Sequence, residues 1–425
     1  MATNQPLRVL VAGAGIGGLT AAIALRQQGH DVTIFEQSRM AQETGAAIHL
    51  APNSNGLLRW LGLQAEDCGA VECLGFSNYA PSGHLRMSIP TGHAAEKWKH
   101  PWHLVHRGQL HSALKDRAIA DGAKLTLSSR VTSVDAEAAT VTFEDGQSVQ
   151  GDLIVGADGV HSKSRKSIRG GDALTPFDSG KSAFRFLIPT DLLQAGPVTA
   201  PAVEKYGYLT MWIGDDRRLV MYPCNNNTMM NFVAIHPSEE SANDITGQGG
   251  WQELGSKERL LQIYHTLASP VPEILAKADS SKLKVWNLLD MDKVPSFING
   301  KLAVIGDAAH PFLPHQGQGG GQAIEDAVSI ATLLPLGTAV EDVPARLALY
   351  EKCRYERAHK IQEFTRLAGM DTAELAKLGK TLDMNEYVKY NFRHDEHDAS
   401  AEVSAEQQAK APSGSDAPRS AISVA

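Results

Sequence analysis

Gly13-Ala14-Gly15-Ile16-Gly17-Gly18 carries the pattern G-x-G-x-x-G at positions 13, 15 and 18. Glycines at that spacing suit one task. The first permits a tight turn, the second lets main chain approach a pyrophosphate, and the third lets a helix pack closely on a strand. The N–H groups at the start of that helix then face the phosphates. Glu36 lies 23 residues beyond Gly13, at the end of the next strand-like run. A carboxylate there accepts hydrogen bonds from a ribose hydroxyl pair. The pattern marks a dinucleotide site without separating NAD from FAD.

Other chemistries find little support. The chain has no G-x-S-x-G elbow and no Walker loop, which argues against hydrolase and nucleotide-kinase readings. His103 with His106, and His394 with His397, lack supporting cysteines or carboxylates in a folded context, so no metal site is expected. No second complete G-x-G-x-x-G is present, and Trp212 lies in Met-Trp-Ile-Gly rather than a WxWxIP motif.

Two further segments narrow the choice. Residues 156–165 read Gly-Ala-Asp-Gly-Val-His-Ser-Lys-Ser-Arg, and residues 306–311 read Gly-Asp-Ala-Ala-His-Pro. With the glycine loop, in this order and spacing, they resemble the group A FAD monooxygenases, the flavoprotein aromatic hydroxylases of the para-hydroxybenzoate and salicylate hydroxylase type. The resemblance runs over residues 8–365.

The resemblance implies a role for each matching residue. Glu36 takes the place of the ribose-binding acid. Arg107, in His106-Arg107-Gly108-Gln109-Leu110, matches the basic residue that approaches FAD, where a guanidinium offsets pyrophosphate charge. Asp158 belongs to the segment associated with both FAD and the nicotinamide nucleotide, and Asp307 matches the acid that binds the ribityl chain. The following loop, with Gly319 and Gly320, is placed against the flavin ring, with a helix N-terminus near its N1–C2 edge. Residues 45–53 resemble another flavin-lining segment but depart from it with Ala46 and Ala47; Ala47 is the expected contact. His49 falls at a position that faces substrate in some relatives. Arg185 and Tyr222 match substrate-anchoring positions, and a phenolate held by them would be more electron-rich. Tyr208 and Trp212 are candidates for the pocket wall.

The implied activity is that of a single-component monooxygenase using FAD, NAD(P)H and O2. Oxygen would pass from a flavin C4a-hydroperoxide to a phenolic or related aromatic small molecule. Two other readings stay open: oxidation or epoxidation of a non-aromatic metabolite, and a flavin-binding redox module without turnover.

These residues need elements to hold them. Residues 8–12, 19–28 and 31–36 read as strand, helix and strand, a βαβ unit. Residues 107–121 read as a helix, and the alternating runs from 125 to 159 as a small antiparallel meander. A strand-rich stretch covers 177–236, a buried strand 301–306, a helix follows from about 321, and helices occupy about 341–380. The expected fold class is α/β: a Rossmann-like FAD-binding domain with an inserted, mainly antiparallel β-sheet substrate domain and C-terminal helices. The expected division gives a first FAD-binding segment at 1–176 and the substrate sheet at 177–290. A second FAD-binding segment with C-terminal helices follows at 291–394, and a disordered tail at 395–425. That tail is rich in Ala, Ser, Gln and Pro and shows no periodicity.

The composition agrees with such a protein. Of 425 residues, 43% are hydrophobic, and 40 basic against 48 acidic side chains give a net charge of -8. That balance disfavours a nucleic-acid partner, which needs a basic face. The four cysteines form no CxxC pair, pointing to a reducing, cytoplasmic setting. Val9 to Leu25 is uncharged but holds four glycines, so it reads as the nucleotide-binding unit rather than a signal peptide or membrane span.

Overall fold

The β-branched, apolar run Arg8–Ala12 forms the middle of a six-stranded sheet in the computed structural model, which describes residues 5–39, 46–242 and 254–410. The strand order is Ile298–Asn299, Leu302–Val304, Leu153–Gly156, Arg8–Ala12, Asp31–Phe35 and Lys124–Thr126. All neighbours are parallel except the first pair. Helix Ile16–Gln27 provides the crossover of the βαβ unit, and its residues from Leu19 to Leu25 are wholly buried. A helix apolar all round belongs inside, between the sheet and other helices. Gly17 permits one such approach, because a Cβ there would lie 3.2 Å from Cβ of Ala323 in helix Gly319–Leu333.

The region 124–156 differs from expectation. Only Val131–Asp135, Thr140–Phe143 and Ser148–Gln150 form the antiparallel meander. The outer runs, Lys124–Thr126 and Leu153–Gly156, join the parallel sheet instead. Leu153–Gly156 is buried at every position, the signature of a strand covered on both faces.

A seven-stranded sheet forms the second layer, in the order Lys284–Asp290, Phe177–Pro189, Met229–Pro237, Arg218–Cys224, Tyr208–Ile213, Gly75–Tyr79, Leu85–Pro90. Its pairings are antiparallel except Tyr208–Ile213 with Gly75–Tyr79. Two of its strands therefore come from residues 75–90, inside the segment expected to serve FAD binding alone. Alternation along Phe177–Pro189 buries Phe184 and Phe186 in one cluster with Trp212 and leaves Arg185 on the opposite face.

The long helix Val343–Gly369 and helix Gly319–Leu333 pack together behind the first sheet. Residues Glu396–Lys410 form a further helix, which corrects the expectation of a disordered tail from 395. Its Glu396 and Ser400, one turn apart, are fully buried, and Ser400 Oγ lies 2.7 Å from Ser329 Oγ of helix Gly319–Leu333. Its Ala, Glu and Gln residues are good helix formers, so a helix forms here without apolar periodicity. Residues 411–425 lie outside the described residues.

Candidate active site

The glycine loop has the geometry its spacing demands. Gly13 adopts φ +105°, and a Cβ there would lie 2.4 Å from the Ala157 carbonyl oxygen. A Cβ on Gly18 would lie 2.1 Å from the Gly13 carbonyl oxygen, while one on Gly15 would meet nothing within 4 Å. The tight turn thus falls on Gly13, the open approach on Gly15 and the close packing on Gly18, and the cradle fits a pyrophosphate. Glu36 stands beside it: its Oε2 accepts from the Ala14 N–H at 2.9 Å and its Oε1 from the Ser38 N–H at 2.8 Å. His111 Nε2, 2.7 Å from the Ala14 carbonyl oxygen, fixes the same loop from helix Arg107–Ala120. Arg107 opens that helix, and its N–H donates to the Ala46 carbonyl at 3.1 Å.

Asp158 organises its own loop. Its carboxylate accepts from Ser162 Oγ at 2.5 Å, from the N–H groups of Lys163 and Ser164 at 2.7 and 2.9 Å, and from Ser164 Oγ at 3.1 Å. Arg165, the last residue of that motif, has no role legible in the sequence, yet it ties two segments together. It donates to the carbonyls of Val160 at 2.7 Å and Ala308 at 3.1 Å. Burial lowers its pKa, and the charges of Asp158 and Asp307 partly offset this.

Asp307 lies in the turn Gly306–Ala308 and lines a cavity with Val160, Arg185, Trp286, Pro311 and Leu313. The Arg185 guanidinium lies over the Trp286 ring at 5.1 Å, its Nε lacks a hydrogen-bond partner, and no carboxylate pairs with it among the described residues. Burial pushes its pKa down to about 10; Tyr222 opposes the shift and the charge of Arg107 adds to it. Nothing in the sequence pointed to Trp286.

The charge of Arg185 also reaches His49. Its ring makes edge contacts with Tyr222 at 4.8 Å and Trp102 at 5.9 Å between centroids. Gly317, at φ +64°, packs on it so closely that a Cβ would lie 2.8 Å from His49 Nδ1. Burial pushes the His49 pKa down to about 4, with the Arg185 charge adding to the effect. Gly319 and Gly320 open helix Gly319–Leu333, where added Cβ atoms would lie 3.5 Å from Phe312 and from Ile48 respectively.

Tyr222 departs from the expected arrangement. Its hydroxyl donates to the Ala47 carbonyl at 2.8 Å, so its proton is committed to main chain rather than left for a substrate oxygen. Asn231 Oδ1 accepts from the Ala47 N–H at 2.8 Å, so the second sheet holds Ala47 at both polar groups. Asn231 lies within an apolar strand and gave no sequence signal. The two aromatic candidates for the pocket wall fall elsewhere. Trp212 stacks on Tyr79 at 5.4 Å in the core of the sheet's other face, and Tyr208 packs beside Gly75 under Lys205.

Fold and site together define a flavoprotein of the monooxygenase class, with a dinucleotide cradle on one sheet and a cation-bearing cavity at the junction with another. The chain belongs to the FAD binding domain family, whose model matches residues 6–365. It is 35% identical over 375 residues to hispidin-3-hydroxylase of Neonothopanus nambi, covering 84% of this chain and 86% of the relative. It is 31% identical over 371 residues to 6-hydroxynicotinate 3-monooxygenase of Pseudomonas fluorescens, covering 85% and 91%. A salicylate hydroxylase in complex with substrate superposes with a TM-score of 0.75 at 25% identity, over 95% of this chain and 98% of the other. CtdE in complex with FAD and a substrate shares the fold, with a TM-score of 0.80 at 22% identity over 95% and 100% of the chains. The protein is thus an FAD-dependent monooxygenase, and NAD(P)H is the co-substrate typical of that family. No helix among the described residues is long and apolar enough to cross a membrane.

Proposed function

We propose that this monooxygenase hydroxylates an anionic phenolic or related aromatic small molecule, and that Arg185 binds the substrate's oxyanion. One observation carries this reading: a half-buried guanidinium with a buried, unbonded Nε, without a carboxylate partner among the described residues, on the wall of a cavity it shares with Asp307. An unpaired charge partly withdrawn from water is costly, and an anionic ligand offsets that cost. The names of relatives acting on hispidin and 6-hydroxynicotinate support the same substrate chemistry.

Bound FAD would supply two-electron reduction by NAD(P)H and activation of O2, with one oxygen atom entering the product and the other leaving as water. In this reading Gly13, Gly15 and Gly18 receive the pyrophosphate, Glu36 the ribose, and Arg107 offsets phosphate charge. Asp307 takes the ribityl chain, Asp158 shapes the loop beside it, and Gly319 and Gly320 offer main chain to the flat ring, whereas Ala47 has both polar groups already bonded to Asn231 and Tyr222. His49 stays neutral above about pH 4, so it offers an acceptor nitrogen to a substrate hydroxyl. Tyr222 positions Ala47 and walls in His49. The free cysteines agree with a reducing cytoplasm.

The test is a panel of phenolic acids, hydroxypyridines and phenolic aldehydes, scored for stimulated NAD(P)H consumption and for products heavier by one oxygen atom. Stimulation by aromatic anions is expected. Turnover of neutral alkenes alone would favour the epoxidation reading, and stimulation by no member would favour the redox module.

A further inference from the structure

One stripe of helix Val343–Gly369 follows the chain that carries Asp307. Tyr350, Arg354, Gln362 and Thr365 are spaced by four, eight and three residues, which a 3.6-residue repeat places along one face. The Tyr350 hydroxyl donates to the Val304 carbonyl at 2.9 Å. Arg354 Nε donates to Asp326 Oδ1 at 2.8 Å, and Asp326 Oδ2 in turn accepts from the Gly306 N–H at 2.9 Å and pairs with His310 Nε2 at 2.7 Å. Gln362 Nε2 donates to the Pro311 carbonyl at 2.9 Å, and Thr365 Oγ1 to the Leu313 carbonyl at 2.8 Å. The helix therefore grips residues 304, 306, 310, 311 and 313 in chain order, on both sides of Asp307.

Gln362 and Thr365 are buried almost completely, at 0% and 1% exposure. Polar groups so placed are costly unless they make hydrogen bonds. Pro311 and Leu313 lie in an irregular segment, where no strand or helix ladder satisfies their carbonyls. The same two residues line the cavity that Arg185 also lines. Any shift of their main chain moves the cavity wall and the turn holding Asp307 together.

We infer that Gln362 and Thr365 are positioning residues of the flavin site. They touch neither cofactor nor substrate, and act by fixing the Pro311 and Leu313 carbonyls so that the 306–313 segment is preformed for the flavin. The inference rests on the reading of this cavity as the active site, but not on the identity of the substrate.

Thr365→Val keeps the side-chain volume and removes only the donor, Thr365→Ser keeps the donor, and Gln362→Met removes the other donor. FAD affinity is read by flavin fluorescence and ring geometry by visible circular dichroism, with melting of the FAD-free protein measured alongside. Loss of one buried hydrogen bond that preorganises the site should weaken FAD binding by about fivefold. Thr365→Val and Gln362→Met should show that loss and an altered visible dichroism, and Thr365→Ser should restore both. Parent-like FAD affinity and dichroism in Thr365→Val would overturn the inference. So would equal weakening in the Val and Ser variants, because packing rather than the donor would then be responsible. If no aromatic substrate is found, both measurements still decide the matter, since neither uses substrate.

Discussion

Arg185 and Tyr222 are adjacent in space, yet their hydrogen bonds assign them different work. Arg185 is open to receive an anion, so Arg185→Ala should weaken substrate binding by about ten- to a hundredfold, the loss of one charge-assisted hydrogen bond, and leave FAD content unchanged. A substrate titration monitored by flavin absorbance reads both quantities. Tyr222→Phe should instead cost about 1 kcal/mol of stability, because its proton serves the Ala47 carbonyl. The double variant should then be additive in substrate affinity. Two residues sharing one substrate oxygen would be non-additive, and a double-mutant cycle separates the cases. The turn at Gly13, the open approach at Gly15 and the close packing at Gly18 were legible because their geometry is local: spacing in the chain is spacing in the fold. Trp286, Asn231, Gln362 and Thr365 were not, since each acts on a residue at least 50 positions away and looks like any core-face residue in its own element.

At the scale of elements, periodicity located strand, helix and strand in the nucleotide-binding unit and four of the seven strands of the second sheet, missing those at 75–79, 85–90 and 284–290. It failed where a short apolar run had two possible neighbours, as at Leu153–Gly156. It also failed at the C-terminal helix, whose docking depends on charge rather than an apolar stripe. Arg354, with no exposure, donates to Glu325 at 2.5 Å, to Asp326 at 2.8 Å and to Glu396 at 2.8 Å. Arg357 shares Glu325 at 2.7 Å, and His394 lies 2.7 Å from Glu396. The carboxylates near His394 thus already face two guanidinium groups. Removing one partner from a buried ionic cluster is expensive, so Glu396→Ala should destabilise the protein by about 3 kcal/mol, read by chemical denaturation. A change near zero would mean that the helix docks without bearing on the network.

For the whole molecule, pH dependence follows from four histidines withdrawn from water, His236 and His359 fully and His49 and His315 in part. Burial holds His49, His236 and His359 at about 4 and His315 at about 3, against an ordinary value of 6.5. The unfolded chain takes up these protons near 6.5 and the native chain only far lower. Their contribution is therefore intact above 6.5 and is lost as pH falls from there towards 4. Melting temperatures should decline across that window, and His315→Gln should flatten the slope by up to one proton; an unchanged slope would show that His315 titrates normally. The parallel pairing of Tyr208–Ile213 with Gly75–Tyr79 has a different kind of consequence. Residues 177–290 look like an excisable unit along the chain, but in space their sheet is completed by strands from residues 75–90. Cut out alone, the fragment would bare the edge of Tyr208–Ile213, with its unpaired N–H and C=O groups open to pairing with other chains. Expressed without residues 75–90, that stretch should yield aggregates. A unit that carries residues 75–90 with it keeps the edge covered and should remain monodisperse on gel filtration.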